Sequence, residues 1–310
     1  MLARKLEYLI ALAKEGHFAR AAAACHVSQP ALSAGIQQLE QELGVPIVKR
    51  GQRFQGFTEE GEIVLAWAQR AELECKKLRQ ELRERGDHMA GTLRLGVLNS
   101  TTPFVGIFTL AFQQRFPEVN LKVIHQNAFD LQQGLEELSF DVVITFLEDR
   151  MRRYSRSHVL YTQEYYALTR KGAFFDERNT VSWEELREVP LCLYPAESHI
   201  LGSDAAERLG DTHPGVPRLE TNAMFVLLDH VRTGKWASIL PKPVLFMIAG
   251  SEEFQAIPLP RTSEAGDIGI AIPRRDPESS LARAFFEIAT SRDVLARFQE
   301  FFHPAVTNSR

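Results

Sequence analysis

Residues 18 to 43, FARAAAACHVSQPALSAGIQQLEQEL, leave few folds open. The stretch begins with Ala19 and Ala21 to Ala24. Alanine has the best helix propensity, and its small side chain lets two helix backbones cross closely. Cys25, His26 and Val27 interrupt this pattern. Ser28 suits an N-cap, because its hydroxyl can accept from an unpaired amide in the first turn, and Pro30 falls in that turn, where a missing N–H is harmless. Leu32, Ile36, Leu39 and Leu43 recur at steps of four, three and four, which is one apolar stripe of a helix. Pro30, Ala34, Gln37 and Gln41 lie opposite, flanked by Ser33 and Gln38, and Gln29 projects from the leading end. Helix, tight turn and capped helix form a helix-turn-helix, whose second helix enters a DNA major groove. Taken alone, the pattern also describes a solvated helix in an ordinary bundle.

The next segment, VPIVKRGQRFQGFT, bears on that choice. Val45, Ile47 and Val48 are strand formers, Gly51 and Gly56 supply turns, and Lys49, Arg50 and Arg53 supply cations. A short basic hairpin beside a helix-turn-helix is a wing, suited to phosphates or the minor groove. Residues 1 to 58 hold seven Lys and Arg against four Asp and Glu, whereas the whole chain carries −4. Positive charge therefore gathers where DNA would sit. On the outer face, Gln can bond adenine in a bidentate way and Ser can bond a base edge or a phosphate.

The run HFARAAAACHVSQPALSAGIQQLEQELGVPIVKR followed by FTEEG resembles the LysR-type transcriptional regulators, densely over residues 1 to 62. The resemblance implies an N-terminal all-α winged helix-turn-helix domain (1–58), a long linker and dimerisation helix (59–90) and a C-terminal α/β effector domain (91–310). That last domain is expected to be two-lobed and similar to periplasmic binding proteins, with lobe I at 91–161 and 268–310 and lobe II at 162–267. DNA contacts carry over to Gln29, Pro30, Ser33 and Arg53, and Ser28, Ala34, Gln37 and Arg50 complete the expected DNA-binding set. The chain departs from the family at Ala34, where many members have Arg, so one guanine contact is expected to be missing. It also has Val48 where many have Phe.

Composition narrows the class. A length of 310 residues suits two or three domains. Three cysteines, Cys25, Cys75 and Cys192, stand far apart with no CxxC and no His/Cys cluster, so neither a metal nor a cofactor is expected. The odd count suits a reducing cytoplasm. The N-terminal MLARKLEYLIALAKEGHF is interrupted by Lys5, Glu7, Lys14 and Glu15, and its stripe of Leu2, Leu6, Leu9 and Ala13 predicts a first helix of the reading head instead of a signal peptide. No apolar run approaches a membrane span, so a cytoplasmic protein with no membrane partner is expected.

Thr58 is expected to cap a long helix with Glu59 and Glu60 in its first turn. Val64, Ala68, Ala71, Cys75, Leu78 and Leu82 step alternately by four and three, a heptad seam that predicts pairing of two helices, with Gly86 ending the run. A homodimer, or a homotetramer made from two such pairs, follows. Cys75 reads as a packing residue of that seam.

From residue 92 strands alternate with helices, which predicts a largely parallel sheet. LRLGVL (93–98), NLKVIHQ (120–126) and FDVVITF (140–146) read as strands, with helices at 103–116 and 129–138 between them. LYTQEYYALTR (160–170) reads as a single strand crossing to the second lobe, which holds LCLY (191–194), a helix after Asn222 and WASILP (236–241). DIGIAI (267–272) reads as the return strand, and 278–302 as the final helices. Strand ends and helix starts should face the cleft between the lobes. Ser100, Thr101 and Thr102 precede a helix there and are candidate effector contacts, with Thr145, His199 and Asn222 as further candidates; hydroxyls before a helix are otherwise plain N-caps. No Lys or Arg lies in these segments, which points to a small or singly charged anionic effector.

The expected protein is thus a non-enzymatic regulator that binds promoter DNA, responds to a small molecule and acts on RNA polymerase. An enzyme, or a small-molecule-binding protein using the same cleft, is the alternative. Cys192 and His199 could suggest nucleophile and base, but Cys192 lies in the apolar run LCLY, where a buried structural cysteine is the default.

Overall fold

The structure, a computed structural model, describes residues 2–49, 54–83, 89–176, 178–195, 207–210, 213–248, 253–261, 266–275 and 277–302. The chain divides into two compact units, Met1–Arg85 and Gly86–Arg310.

The first unit contains α1 (Leu2–Glu15), α2 (Phe18–Ala24), α3 (Gln29–Leu43) and α4 (Glu59–Arg83). Tyr8, Leu9 and Leu12 of α1 meet Ala21 and Ala22 of α2 and Leu32, Ile36 and Leu39 of α3 in one core. His26, with φ of 54°, takes the left-handed conformation that turns the chain from α2 into α3. Gly35 lets α3 settle on α1, since a Cβ there would lie 2.7 Å from the Tyr8 ring. Leu43, expected on the buried stripe, is 46% exposed, because α3 ends there and Gly44 turns the chain away in the left-handed region.

Past α3 the expected hairpin is present as one antiparallel bridge, Val48 to Phe57. Thr58 N–H donates to the Ile47 carbonyl at 3.0 Å and Lys49 N–H to the Gly56 carbonyl at 3.1 Å. The Glu40 carboxylate, on α3, accepts from the Ile47 and Val48 amides at 2.7 and 3.0 Å and so ties this strand to α3. The Thr58 hydroxyl accepts from Gly61 N–H at 2.9 Å, which caps α4 as expected.

The linker seam needs correction. Ala68, expected to face a partner helix, is fully buried in the head's own core together with Leu65, and Val64 packs beside them. Ala71 and Cys75 are exposed. Ile63 and Trp67 are exposed too, at 61% and 64%. A heptad period identifies an apolar stripe but not what covers it, and here α1 covers its first half. The side chains of Leu78 and Leu82, and residue Gly86, lie outside those described.

The second unit is built on two groups of strands. The first is a five-stranded sheet in the order β2-β1-β3-β10-β4. Its strands are β1 (Gly91–Leu98), β2 (Val119–Gln126), β3 (Val142–Phe146), β4 (Ser155–Thr162) and β10 (Asp267–Pro273). Helices α5 (Thr102–Arg115), α6 (Ala128–Glu136), α11 (Ser280–Ala289) and α12 (Arg292–Phe302) cover it, and a short α7 (Asp149–Tyr154) precedes β4. Its core includes Phe104, Phe108, Phe112, Phe285 and Phe298. Strands β2, β1 and β3 pair in parallel, and β10 is antiparallel to both β3 and β4, so β4 runs in the same direction as β1, β2 and β3. Four strands thus share one direction, in keeping with the largely parallel sheet expected from the sequence, and β10, which re-enters from the other lobe between β3 and β4, opposes them and makes the sheet mixed.

The second group holds β5 (Tyr165–Arg170), β6 (Leu191–Leu193), β7 (Arg218–Glu220), β8 (Ser238–Pro241) and β9 (Phe254–Pro258). Strands β8, β5 and β9 form an antiparallel sheet, β6 and β7 a parallel pair, and a bridge from Leu191 to Ala237 joins the two. Helices α8 (Trp183–Leu186), α9 (Met224–Arg232) and α10 (Lys242–Leu245) are described in the same lobe. The crossing strand expected over 160–170 is two strands. Gln163 and Glu164 break it, since the Gln163 N–H donates to Gly266 and the Glu164 carbonyl accepts from Lys242, and neither continues a ladder.

Candidate functional site

The first candidate surface is the outer side of α3. Ser28 caps the helix through a long contact from the Ala31 amide, 3.4 Å, and Pro30 occupies the first turn. Ser28, Gln29, Pro30, Ala34 and Gln37 are exposed, and Ser33 is half-buried. Gln38 and Gln41 extend the exposed side. Both acids of the helix have other work: Glu40 holds the following strand, and Glu42 binds Lys5 of α1 at 2.6 Å. The exposed face is therefore made of amides, a hydroxyl and small apolar groups, which can approach base edges without like-charge repulsion from phosphate. Arg50 and Arg53 lie outside the described residues.

The second candidate is an edge of the five-stranded sheet. Strand register sets Thr145 beside Gly269 and Thr162 beside Asp267, and β1 runs parallel to β3. The segments that follow β1, β3 and β4 thus leave the sheet at one edge. After β1 the chain makes a 3-10 turn, Asn99–Thr101, and enters α5 with no side-chain cap. The Thr101 hydroxyl, fully buried, donates to the Leu98 carbonyl at 2.8 Å, and the exposed Thr102 hydroxyl donates to the Asn99 carbonyl at 2.8 Å. These hydroxyls are neither plain N-caps nor free. Ser100 and Thr145 differ: both are buried, and their hydroxyls have no partner among the described residues. A buried polar group without a partner marks a place where a ligand or ordered water belongs.

Sequence reasoning missed two members of this edge. Gln163, 2% exposed, leaves both its amide oxygen and nitrogen without a partner among the described residues. The buried Tyr194 hydroxyl, just past β6, makes no well-formed bond either. Burial raises the Tyr194 phenol and the Asn99 side chain draws it back, which sets the end of β6 against the 3-10 turn of the other lobe. Only a Gln inside a presumed strand could have flagged Gln163. Asn222 is exposed and does not cap α9, whose N-cap is Ala223, so it is not brought to this edge by any contact seen. His199 lies outside the described residues.

Cys192 is fully buried in β6, and burial pushes its thiol up to about 11. It is a packing residue, as its apolar run implied. Among the described residues no three His, Cys, Asp or Glu side chains gather as a metal site, and no helix is long and apolar enough to cross a membrane.

Comparison with known proteins places both units. The model of bacterial regulatory helix-turn-helix proteins of the lysR family matches residues 3–62, and that of the LysR substrate binding domain matches residues 86–293. The DNA-binding transcriptional dual regulator OxyR of Escherichia coli is 36% identical over 145 residues, 46% of this chain and 48% of that protein. The HTH-type regulator AlsR of Bacillus subtilis is 32% identical over 142 residues, 46% and 47% of the two chains. The chain thus matches about half the length of these curated relatives. Solved structures with the same fold include full-length OxyR of Pseudomonas aeruginosa (TM-score 0.66, 23% identity, covering 97% of this chain and 95% of that one). CbnR, a LysR family transcriptional regulator, gives 0.66 at 21% identity over 96% and 99%. CbnR complexed with its target DNA gives 0.64 at 21% identity over 96% and 100%.

Proposed function

The chain belongs to the LysR family of bacterial regulators, and from that premise we propose that it is a sequence-specific DNA-binding transcriptional regulator switched by a small molecule. The observation that carries the DNA reading is the exposed, acid-free outer face of α3, presented by a capped helix whose two glutamates are engaged elsewhere. Gln29, Pro30, Ser33, Ala34 and Gln37 meet base edges, Ser28 stands at the helix start, and Arg50 and Arg53 meet the backbone. The CbnR–DNA complex is a structural neighbour in keeping with this. The working form is a homodimer or homotetramer in the cytoplasm, set on paired half-sites in promoter DNA and acting on RNA polymerase. The domains proceed as head (1–58), linker (59–90) and effector domain (91–310), with lobe I at 91–161 and 268–310 and lobe II at 162–267.

The effector, a small or singly charged anion, sits at the sheet edge against Ser100 and Thr145, with Gln163 and Tyr194 added to the set. Thr101 and Thr102 shape the turn, and His199 and Asn222 are contributions from the other lobe. The ligand acts by binding one arrangement of the lobes better than another. An enzyme is disfavoured because the effector unit's one cysteine is buried with a raised thiol.

A footprint on the intergenic DNA beside the protein's own gene tests the reading. Protection of a two-fold-related site over several helical turns is the expected result. Equal protection of random DNA by the folded protein would overturn sequence-specific binding. Thr145→Val and Ser100→Ala should preserve that footprint and blunt its response to the effector.

A further inference from the structure

We propose that the groove bounded by the end of α5 and by helices α11 and α12 is a second ligand site, built for a free α-amino acid with an apolar side chain. The groove holds about 500 Å³, within the size range of small-molecule pockets. Its floor is apolar, made by Ala111 and Phe116 from the α5 side, Ala284 and Ile288 from α11 and Val294 from α12. Buried rings back this floor, since the Phe112 centroid lies 5.2 Å from that of Phe116 and 5.2 Å from that of Phe285. Such a surface gains by covering an aliphatic side chain.

The rim carries charge of both signs. Arg115 and Arg297 line the groove together with Glu287 and Asp293, and all four are exposed. None of the four forms an ion pair among the described residues, and Arg115 lies over the Phe116 ring, 5.5 Å from its centroid. Glu287 stands in the last turn of α11, where the helix end is already negative, so its carboxylate favours a cation beside it. Asp293 sits in the first turn of α12, a place that suits an acid. Glu287 is therefore the partner for a ligand ammonium, and the guanidinium forks of Arg115 and Arg297 are the partners for its carboxylate. Two cations against two acids leave the rim neutral, which matches a zwitterion better than a simple anion or amine.

The groove is remote from the sheet edge. Helix α5 starts beside Ser100 and ends at Arg115, and its 14 residues span about 21 Å. The ligands asked for also differ. The edge offers buried hydroxyls and an amide, whereas the groove offers both signs of charge over an apolar floor.

Calorimetric titration of the full-length chain with L-leucine tests the proposal. Two truncated analogues serve as controls: 4-methylpentanoate, which lacks the ammonium, and 3-methylbutylamine, which lacks the carboxylate. Saturable binding of leucine is expected, with each analogue about tenfold weaker or more. Glu287→Gln and Arg297→Ala, both at exposed side chains, should each weaken leucine about tenfold. Gln114→Trp, which fills the groove from a further exposed position, should abolish binding even if one of those changes disturbs folding. Ser100→Ala should leave the affinity unchanged. Absence of saturable binding at millimolar leucine overturns the proposal. So does equal binding of either analogue, or binding that survives Glu287→Gln, Arg297→Ala and Gln114→Trp alike. Loss with Ser100→Ala alone overturns it too and would assign the ligand to the sheet edge.

Discussion

Single residues show how local chemistry decides what each unit can do. Several relatives are named hydrogen peroxide-inducible genes activators, yet the one cysteine of this effector unit is sealed in a strand. A thiol raised to about 11 stays protonated at neutral pH, and the thiolate is the reactive form. Brief iodoacetamide treatment followed by mass spectrometry should label the exposed Cys75 and spare Cys192. Rapid native labelling of Cys192 would contradict its burial. Gly35 makes a second test. A methyl group there meets the Tyr8 ring, and overpacking of this kind costs about 1–3 kcal/mol. Gly35→Ala should lower the urea midpoint of the head's transition and weaken DNA binding with it, and an unchanged midpoint would mean that the Tyr8 ring gives way freely. Such a contact has no signature in the sequence, where Gly35 is one small residue in a helix full of them.

At the scale of elements, legibility follows how local the determinants are. Helix α3 is written in its own sequence: a cap, a proline in the first turn, an apolar stripe and a terminal glycine. Its grip on the next strand is not, because it depends on Glu40 reaching two amides seven and eight residues on. Glu40→Ala removes a charged acceptor from two amides, a loss of about 1–3 kcal/mol. The expected outcome is a less stable head, measured by urea unfolding, and weaker DNA binding. The linker shows the opposite limit. Its periodicity was legible, but α1 takes the stripe's first half and leaves Ile63 and Trp67 exposed, and we propose that two copies pair through that exposed face. Replacing both with Glu should bring the sedimenting mass toward the 35.1 kDa monomer, and retention of the wild-type mass would move the interface elsewhere. The proposed sheet-edge site was half legible. Ser100 and Thr145 follow from strand ends, whereas Gln163 was hidden inside an apparent strand that tertiary hydrogen bonds break.

At the scale of the whole effector unit, the two crossovers are pinned together by Glu164 with Lys242 and Arg261. Burial alone would raise the Glu164 carboxyl, but the bonds from Lys242 and Arg261 outweigh it and hold the group below its ordinary value. A carboxylate with a lowered native pKa stabilises the fold fully above its unfolded value of about 4.3 and loses that contribution as pH falls through the native value. Wild type should therefore exceed Glu164→Gln in stability by a constant margin from pH 7 to about pH 5, and the margin should close in more acidic solution. A margin independent of pH down to acid unfolding would show that Glu164 ionisation does not matter.

The placement of β10 between β3 and β4 also governs how the molecule is made. The strand that completes the first sheet is synthesised after the entire second lobe, so on the ribosome β3 and β4 wait with open edges while later residues emerge. Domains generally fold in order of synthesis, and unpaired edges invite wrong pairing. The first unit, Met1–Arg85, is synthesised before any of the second. A chain cut short near residue 260 would thus keep β3 and β4 with open edges, and aggregation is the expected outcome.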